Sequence, residues 1–328
     1  MSEVGGDDSL DMMGDSETGG ETSDSLETSA AASETEDSLG IAELATSGAE
    51  GMTGNSEVSA VHGETDHALV QAHETTESTD LFRAQAQVET VHSTALGRIV
   101  QQDGAFISEK DQERIAAGPT SIKAVDGLAP GKTGGYHFDS KNSSIRVASL
   151  NETQRERSTI HETYHFASHN KEVYVPMPDK QGYMVYNTVG TRQSSWFHST
   201  RTGENSNYTE RGRGLNEGIT TMFTNRQLAK ISPEKGKVAE QQQIYGHAVD
   251  LTASLEKLVG EDTLKGAYYG GNMQELESKV ERLAGEKEFG HLRECLDRAV
   301  SDNYAERVAA TREAQEILAR MAERNKPS

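Results

Sequence analysis

The sequence predicts an α+β fold: a small β-sheet and a helix bearing two histidines, then a mostly α-helical C-terminal part, with a long disordered acidic tail in front. Three observations predict it. Residues 1–82 hold 20 Asp and Glu and no Lys or Arg. Three short strand-like segments fall between Ser121 and Ala148, and from Leu215 onward apolar residues recur at helical spacing nearly to the C-terminus.

The tail is made of Ser, Thr, Gly, Ala, Asp and Glu, with scattered single Leu, Val and Met residues that cannot cover one another in a core. Residues 1–80 are therefore expected to be disordered. The formal charge of −21 describes this tail, because Arg83 is the first basic residue and the rest of the chain nearly balances its acids against all 32 bases. No basic, aromatic-interleaved stretch points to nucleic acid. No run of 18 apolar residues points to a membrane. No basic region followed by an apolar stretch points to a cleaved export signal. The single cysteine, Cys295, excludes an internal disulfide and fits a reducing compartment. The expected location is the cytoplasm, or outside after export without a cleavable signal. Lying among Leu292, Leu296 and Val300, Cys295 reads as a small buried hydrophobe.

The expected organisation is the tail over 1–80, a core over 81–232 and a helical subdomain of the same unit over 233–328. A helix is expected from about Thr79 to Gln101, carrying Leu81, Phe82, Ala86, Val88 and Val91. A second runs from an N-cap at Ser108 to Ala117, stopped by Gly118-Pro119. Strands follow at Ser121 to Val125, Gly135 to Phe138 and Ser144 to Ala148, the last two spaced as a hairpin. Ser149-x-x-Glu152 has the form of a capping box and opens a helix to about His169. From Lys171 to Gly214 the chain is polar and Gly-rich, and is expected to be a connecting insertion with one β-like run, Tyr183 to Val189. Helices are then expected over Leu215 to Ala229, from Ser232-Pro233 to Gly260, and over Thr263 to Tyr269, Met273 to Leu283 and Phe289 to Met321.

The chemistry lies in His161-Glu162-Thr-Tyr-His165, on the helix after the hairpin. Four residues of helix turn through about 400° and rise about 6 Å, so both imidazoles leave one face and can close on one metal ion. Glu162, offset by about 100°, can reach a water at that ion without being a ligand. A catalytic zinc needs three protein donors and an open position. His169 lies about 12 Å along the axis from His161, too far to share the ion. Ser168 and Lys171 stand where a metzincin has its Gly and third His. Glu217, in Gly214-Leu-Asn-Glu217-Gly218-Ile-Thr-Thr221, is the better third donor, with Leu215, Ile219, Met222 and Phe223 as the apolar face of its helix. Gly218 has no side chain to hold the two helices apart. Alone, Glu217 also reads as an exposed first-turn acid favoured by the helix dipole.

Together, His161-Glu162-x-x-His165 and Asn216-Glu217-x-x-Thr220 resemble the gluzincin metallopeptidases. The order of strand pair, histidine helix, Leu-Asn-Glu-Gly-Ile-Thr segment and further helices is similar to the compact bacterial minigluzincins. The resemblance spans roughly Ser121 to Tyr269 and is specific at the two motifs. It implies a zincin-like sheet and active-site helix, Zn2+ on His161, His165 and Glu217, a peptide or protein substrate, and Glu162 as general base. It also implies that the strand at Ser144 to Ala148 is the edge along which an extended peptide lies. Thr221 replaces an Asp that orients a zinc-binding His in the thermolysin-type motif, so that support must be made differently. The family's oxyanion-steadying Tyr or His is expected in Tyr245 and His247, with Tyr208 and Arg211 competing.

The alternative is a non-catalytic interaction or regulatory protein on the same scaffold, with a structural or vestigial metal site. A fourth ligand such as His198 would mark that alternative, and an open fourth position would mark catalysis. An injected effector with a flexible N-terminus would carry the same chemistry.

Overall fold

The computed structural model describes residues 65–326 apart from 130–131, 140, 150, 178–179 and 242–244, and gives backbone alone over 65–79. Most of the expected tail lies outside the described residues. The first helix, α1 (Thr65–Asp103), begins well before Thr79, in a stretch with neither Gly nor Pro to stop it. Ala84, Val88, Ala95 and Ile99 are buried at spacings of four and seven, which puts them on one face. That face packs against α3 (Glu152–Ala167), the helix of the paired histidines.

His92 shares that face and is 4 % exposed, with its Nδ1 2.9 Å from Thr163 Oγ1 on α3. The Thr163 hydroxyl already donates to the Thr159 carbonyl, so His92 is the donor in this contact. Burial pushes the His92 pKa down to about 4. The folded state therefore holds it neutral, and its contribution is complete above the unfolded pKa near 6.5 and is lost as pH falls toward 4. At about 1.4 kcal/mol per unit, wild type should lose about 3 kcal/mol relative to His92→Gln over that interval. Urea unfolding of both proteins at pH 7 and pH 4 measures the difference; equal losses would contradict the assignment.

Helix α2 (Glu109–Ala117) has the expected cap, Ser108 Oγ accepting from the Asp111 backbone. It also anchors the far end of α3. Arg114 donates to the carbonyls of Phe166 (2.5 Å) and Ser168 (2.8 Å), and Asp111 lies 2.9 Å from His169 Nδ1. His169 is thus a structural partner of α2. At the near end of α3 the cap is Asn151, whose side chain accepts from Gln154 N, in place of Ser149-x-x-Glu152. An Asn side chain one residue before the first helical turn satisfies the same free N–H groups.

Strands β1 (Ser121–Val125), β2 (Gly134–Phe138) and β3 (Ser143–Ala148) form a sheet in the order β1-β3-β2, with β1 parallel and β2 antiparallel to β3. The segment 144–148 is therefore central and not an edge; the edges are β1 and β2. Residues between Lys171 and Gly214 also differ from expectation. They form an antiparallel meander of β4 (Asn170–Met177), β5 (Gly182–Val189), β6 (Arg192–Ser199) and β7 (Asn205–Arg211). Every residue of β7 is exposed, and much of β4 is. Ladder hydrogen bonds and cross-strand ring pairs, such as Trp196 with Tyr208 and Tyr183 with His198, hold the sheet.

Helix α4 (Arg213–Ile231) begins at Gly212, which has φ +77° and lies against the Thr191 carbonyl. Asp297, at the end of α9 (Glu288–Arg298), accepts from the backbone N–H groups of Gly212 and Gly214, each at 2.7 Å. A Cβ on Gly214 would collide with the Leu296 backbone carbonyl. Gly218 brings α4 close to Ala248 and Thr252 of α6 (Gly246–Val259), and not to α3 as the spacing suggested. The expected long helix from Ser232-Pro233 is α5 (Pro233–Gln241) and then α6; α7 (Glu261–Gly270) and α8 (Met273–Ala284) follow. The expected helix over Phe289 to Met321 is two, α9 and α10 (Tyr304–Arg324), separated around Ser301-Asp302-Asn303. One apolar core runs through these elements, with Tyr268 and Tyr269 packed on Phe223 and fully buried. Among the described residues no helix is long and apolar enough to cross a membrane.

Candidate metal centre

His161 and His165 leave the same face of α3, their Nε2 atoms 3.2 Å apart. Glu217, from the second turn of α4, brings Oε2 to 3.2 Å from His161 Nε2 and 3.5 Å from His165 Nε2. A tetrahedron with bonds of about 2.0–2.1 Å has edges of about 3.3–3.4 Å, so three donors at these separations match one shared face of it. Burial alone would raise Glu217, but the charge of His165 and the hydrogen bonds of both imidazoles hold its carboxyl well below the usual range. His161 is pushed down by burial and raised further by Glu217 and Glu162, ending above its ordinary value. The donor set fits a divalent ion that takes nitrogen and oxygen.

Around it, Thr220 Oγ1 lies 3.4 Å from His165 Nδ1 and 2.8 Å from the buried Tyr268 hydroxyl. The Thr220 hydroxyl donates back to the Asn216 carbonyl, and the Asn216 amide nitrogen lies 3.3 Å from the same His165 Nδ1. The Oδ1 of Asn216 is held by the Thr191 backbone N–H at 3.0 Å. Thr221 lines the same cleft and has a buried Oγ1 without a hydrogen-bond partner among the described residues.

The three donors lie in a cleft of about 740 Å³. Glu162 is buried there beside them, and burial pushes its carboxyl up, against the opposing charge of His161 and His165. Its Oε1 faces Gly134 at the start of β2; a Cβ on that glycine would sit 2.7 Å away. Tyr245 reaches the cleft from the start of α6, hydrogen-bonded to Arg213, and burial pushes its phenol up to about 12.

His247 does not reach this cleft: one residue into α6, it is exposed. Tyr208 lines the cleft but is largely exposed and donates to Glu210. Arg211 is exposed on β7, bonded to Gln193, and Arg213 takes its place at the cleft. His198 is on β6, bonded to Asn205 Oδ1, and supplies no fourth donor. Sequence reasoning missed Arg157, Gly134 and Arg213. Arg157 was accessible to it, since it precedes His161 by one helical turn.

A second trio, His291, Cys295 and Glu313, also gathers donor atoms. Arg298 occupies it, donating to Glu313 Oε2 at 2.5 Å and lying 3.5 Å from Cys295 Sγ. Burial pushes the Cys295 thiol up, which disfavours the thiolate a metal needs. Comparison with protein-family models, with curated proteins and with solved structures gives no match.

Proposed function

We propose that the chain is a zinc-dependent metallopeptidase on a zincin-like scaffold, with Zn2+ held by His161, His165 and Glu217. One observation carries this reading: two imidazole nitrogens and a carboxylate oxygen converge at metal-ligand separations in a cleft that also holds a buried glutamate. Zinc in such a site supplies Lewis acidity, activating water and polarising a carbonyl.

The remaining steps belong to the protein. Glu162, which burial makes more basic, takes the proton of the attacking water and delivers it to the leaving amine. Tyr245, kept protonated by its raised pKa and held by Arg213, donates to the oxygen that gains charge. The edge of β2 at Gly134, short of the Phe138 carbonyl that Asn187 occupies, takes the substrate main chain in extended form, adding a strand next to Glu162. With no His198 at the centre, no observation favours a closed structural site.

Cleavage profiling on a peptide library with wild type and Glu162→Gln tests the proposal; products from wild type alone are expected, and none from either would overturn it. Gly134→Ala is a subtler probe. The nearest atoms to its new methyl are the end of a flexible side chain, the Glu162 carboxylate, which it displaces. Stability should stay within about 0.5 kcal/mol of wild type and zinc should remain. Turnover should fall about 10- to 100-fold, because a displacement near 1 Å spoils alignment. Unchanged kcat would contradict the placement of Glu162 against β2.

A further inference from the structure

We propose that a hollow on the second sheet, between Trp196 and Tyr208, is a substrate subsite that takes one large apolar side chain, aromatic before aliphatic, several residues from the scissile bond. The inference rests on the peptidase reading and adds a second place where the substrate is held.

The chain has one tryptophan, and it stands on β6 in a sheet whose outer strands bury little. Its ring stacks on that of Tyr208 across the pairing of β6 with β7, centroids 6.4 Å apart and planes 26° from parallel. Tyr208 is 61 % exposed, so its ring is open to a ligand. Its hydroxyl donates to Glu210, and a ring held in this way gives contact area at little entropic cost. Beside the pair is a hollow of about 260 Å³ lined by Trp196, Asn205, Ser206 and Tyr208. Tyr208 also lines the metal cleft, so the hollow and the cleft share a wall. A substrate that leaves the cleft past Tyr208 meets the hollow next.

A break in the β ladder makes the hollow. Opposite Trp196 the register of β6 with β7 slips: Ser195 pairs with Thr209 and Phe197 with Ser206, so two residues, Asn207 and Tyr208, face one. Asn207 takes φ +55°, a left-handed conformation that Asn tolerates better than most side chains. Such a bulge interrupts the ladder and bends its strand. The lining residues stand on either side of that interruption, and Asn205 is fixed beyond it by His198 Nδ1, 2.8 Å from its Oδ1.

The lining sets the class of occupant. Pockets for whole small molecules run from about 300 Å³ upward, so this volume fits a single side chain. None of the four residues is charged, and a carboxylate or ammonium placed there loses water without gaining a partner. Two ring faces favour another ring, in offset or edge-on contact, over an aliphatic group of equal area. From Glu210, in the cleft, to Asn205 is five positions of strand, about 17 Å at about 3.3 Å each. An extended peptide rises at the same rate, so the occupant stands about five residues from the part of the substrate beside Glu210.

Trp196 reports its own occupancy, because the chain has no other tryptophan to emit. The test titrates zinc-loaded Glu162→Gln protein with blocked peptides of one length, built from Ala, Ser and Gly around a single Phe, Leu, Glu or Ala. The Phe peptide should shift Trp196 emission to the blue at about tenfold lower concentration than the Ala peptide, with Leu between them and Glu no better than Ala. Tyr208→Ala should remove most of that tenfold, and Tyr208→Phe, which keeps the ring, should restore it. Tyr186→Ala, exposed on the opposite face of the sheet, should change nothing. No emission change with any peptide, an equal response to Phe, Ala and Glu, or a Phe preference that survives Tyr208→Ala would overturn the proposal. A trisaccharide of β-linked glucose that shifts the emission where the peptides do not would also overturn it, showing a sugar site. In cleavage of a peptide library, wild type should favour an aromatic residue or Leu at one position several residues from the cut. Cleavage without that preference would sink this inference and leave the peptidase standing. A Phe-selective emission change with no peptide cleaved by wild type would sink the peptidase and leave a peptide-binding hollow.

Discussion

Glu162→Gln is expected to retain zinc, fold and peptide affinity while losing turnover by about 10³-fold or more. The amide has the same shape as the carboxylate, so the wall it forms with Gly134 is preserved. It cannot accept a proton. General-base catalysis contributes about 10²- to 10⁴-fold, and in this cleft no other carboxylate is free to substitute: Glu217 is drawn to the imidazoles and Glu210 to Arg192. The loss should fall on kcat with KM little changed, since a contact made only in the transition state is removed. Steady-state kinetics on any peptide cleaved by wild type checks this; a variant within tenfold of wild type in kcat would remove Glu162 from the mechanism.

The second expectation concerns Glu217. It is 8 % exposed and its carboxyl is held well below the usual range by His165 and His161, so it is ionised at neutral pH and ready to bind a cation. Glu217→Ala should weaken zinc binding by more than the 10- to 100-fold typical of losing an outer-shell partner. Wild type at a hundredfold excess of free zinc over its dissociation constant gains about 2.7 kcal/mol of stability. The variant under the same conditions should gain almost none. Thermal unfolding with and without added zinc reads this directly, and equal shifts in the two proteins would show that the ion binds elsewhere or without Glu217.

These expectations rest on parts of the chain that differ in how plainly the sequence announces them. The spacing of His161 and His165 fixes their convergence, because helical geometry leaves no other outcome. Ser108, Gly118 and the alternation in 121–148 mark α2 and the first sheet, since caps and period-two burial are local signals. Glu217 is legible as a third-donor candidate from the apolar face of its helix, but by itself an exposed first-turn acid reads the same way. Of the second sheet only the run at Tyr183 to Val189 is legible; β4 and β7 are largely exposed, so alternation of apolar residues has no cause there. Gly218 reads as a spacer for α3, but helix-packing partners are set by the whole fold, and it faces Ala248 and Thr252. The cleft is likewise non-local. Gly134, Arg157, Arg213 and Tyr245 come from four elements, and only the folded chain brings them together.

The shared ion is tested most directly by counting it. Purified protein, stripped with a chelator and reloaded with zinc, should hold about one zinc per chain by elemental analysis. His161→Ala, His165→Ala and Glu217→Ala, treated alike, should each hold far less. A wild type that retains no zinc, or three variants that all retain as much as wild type, would contradict the account.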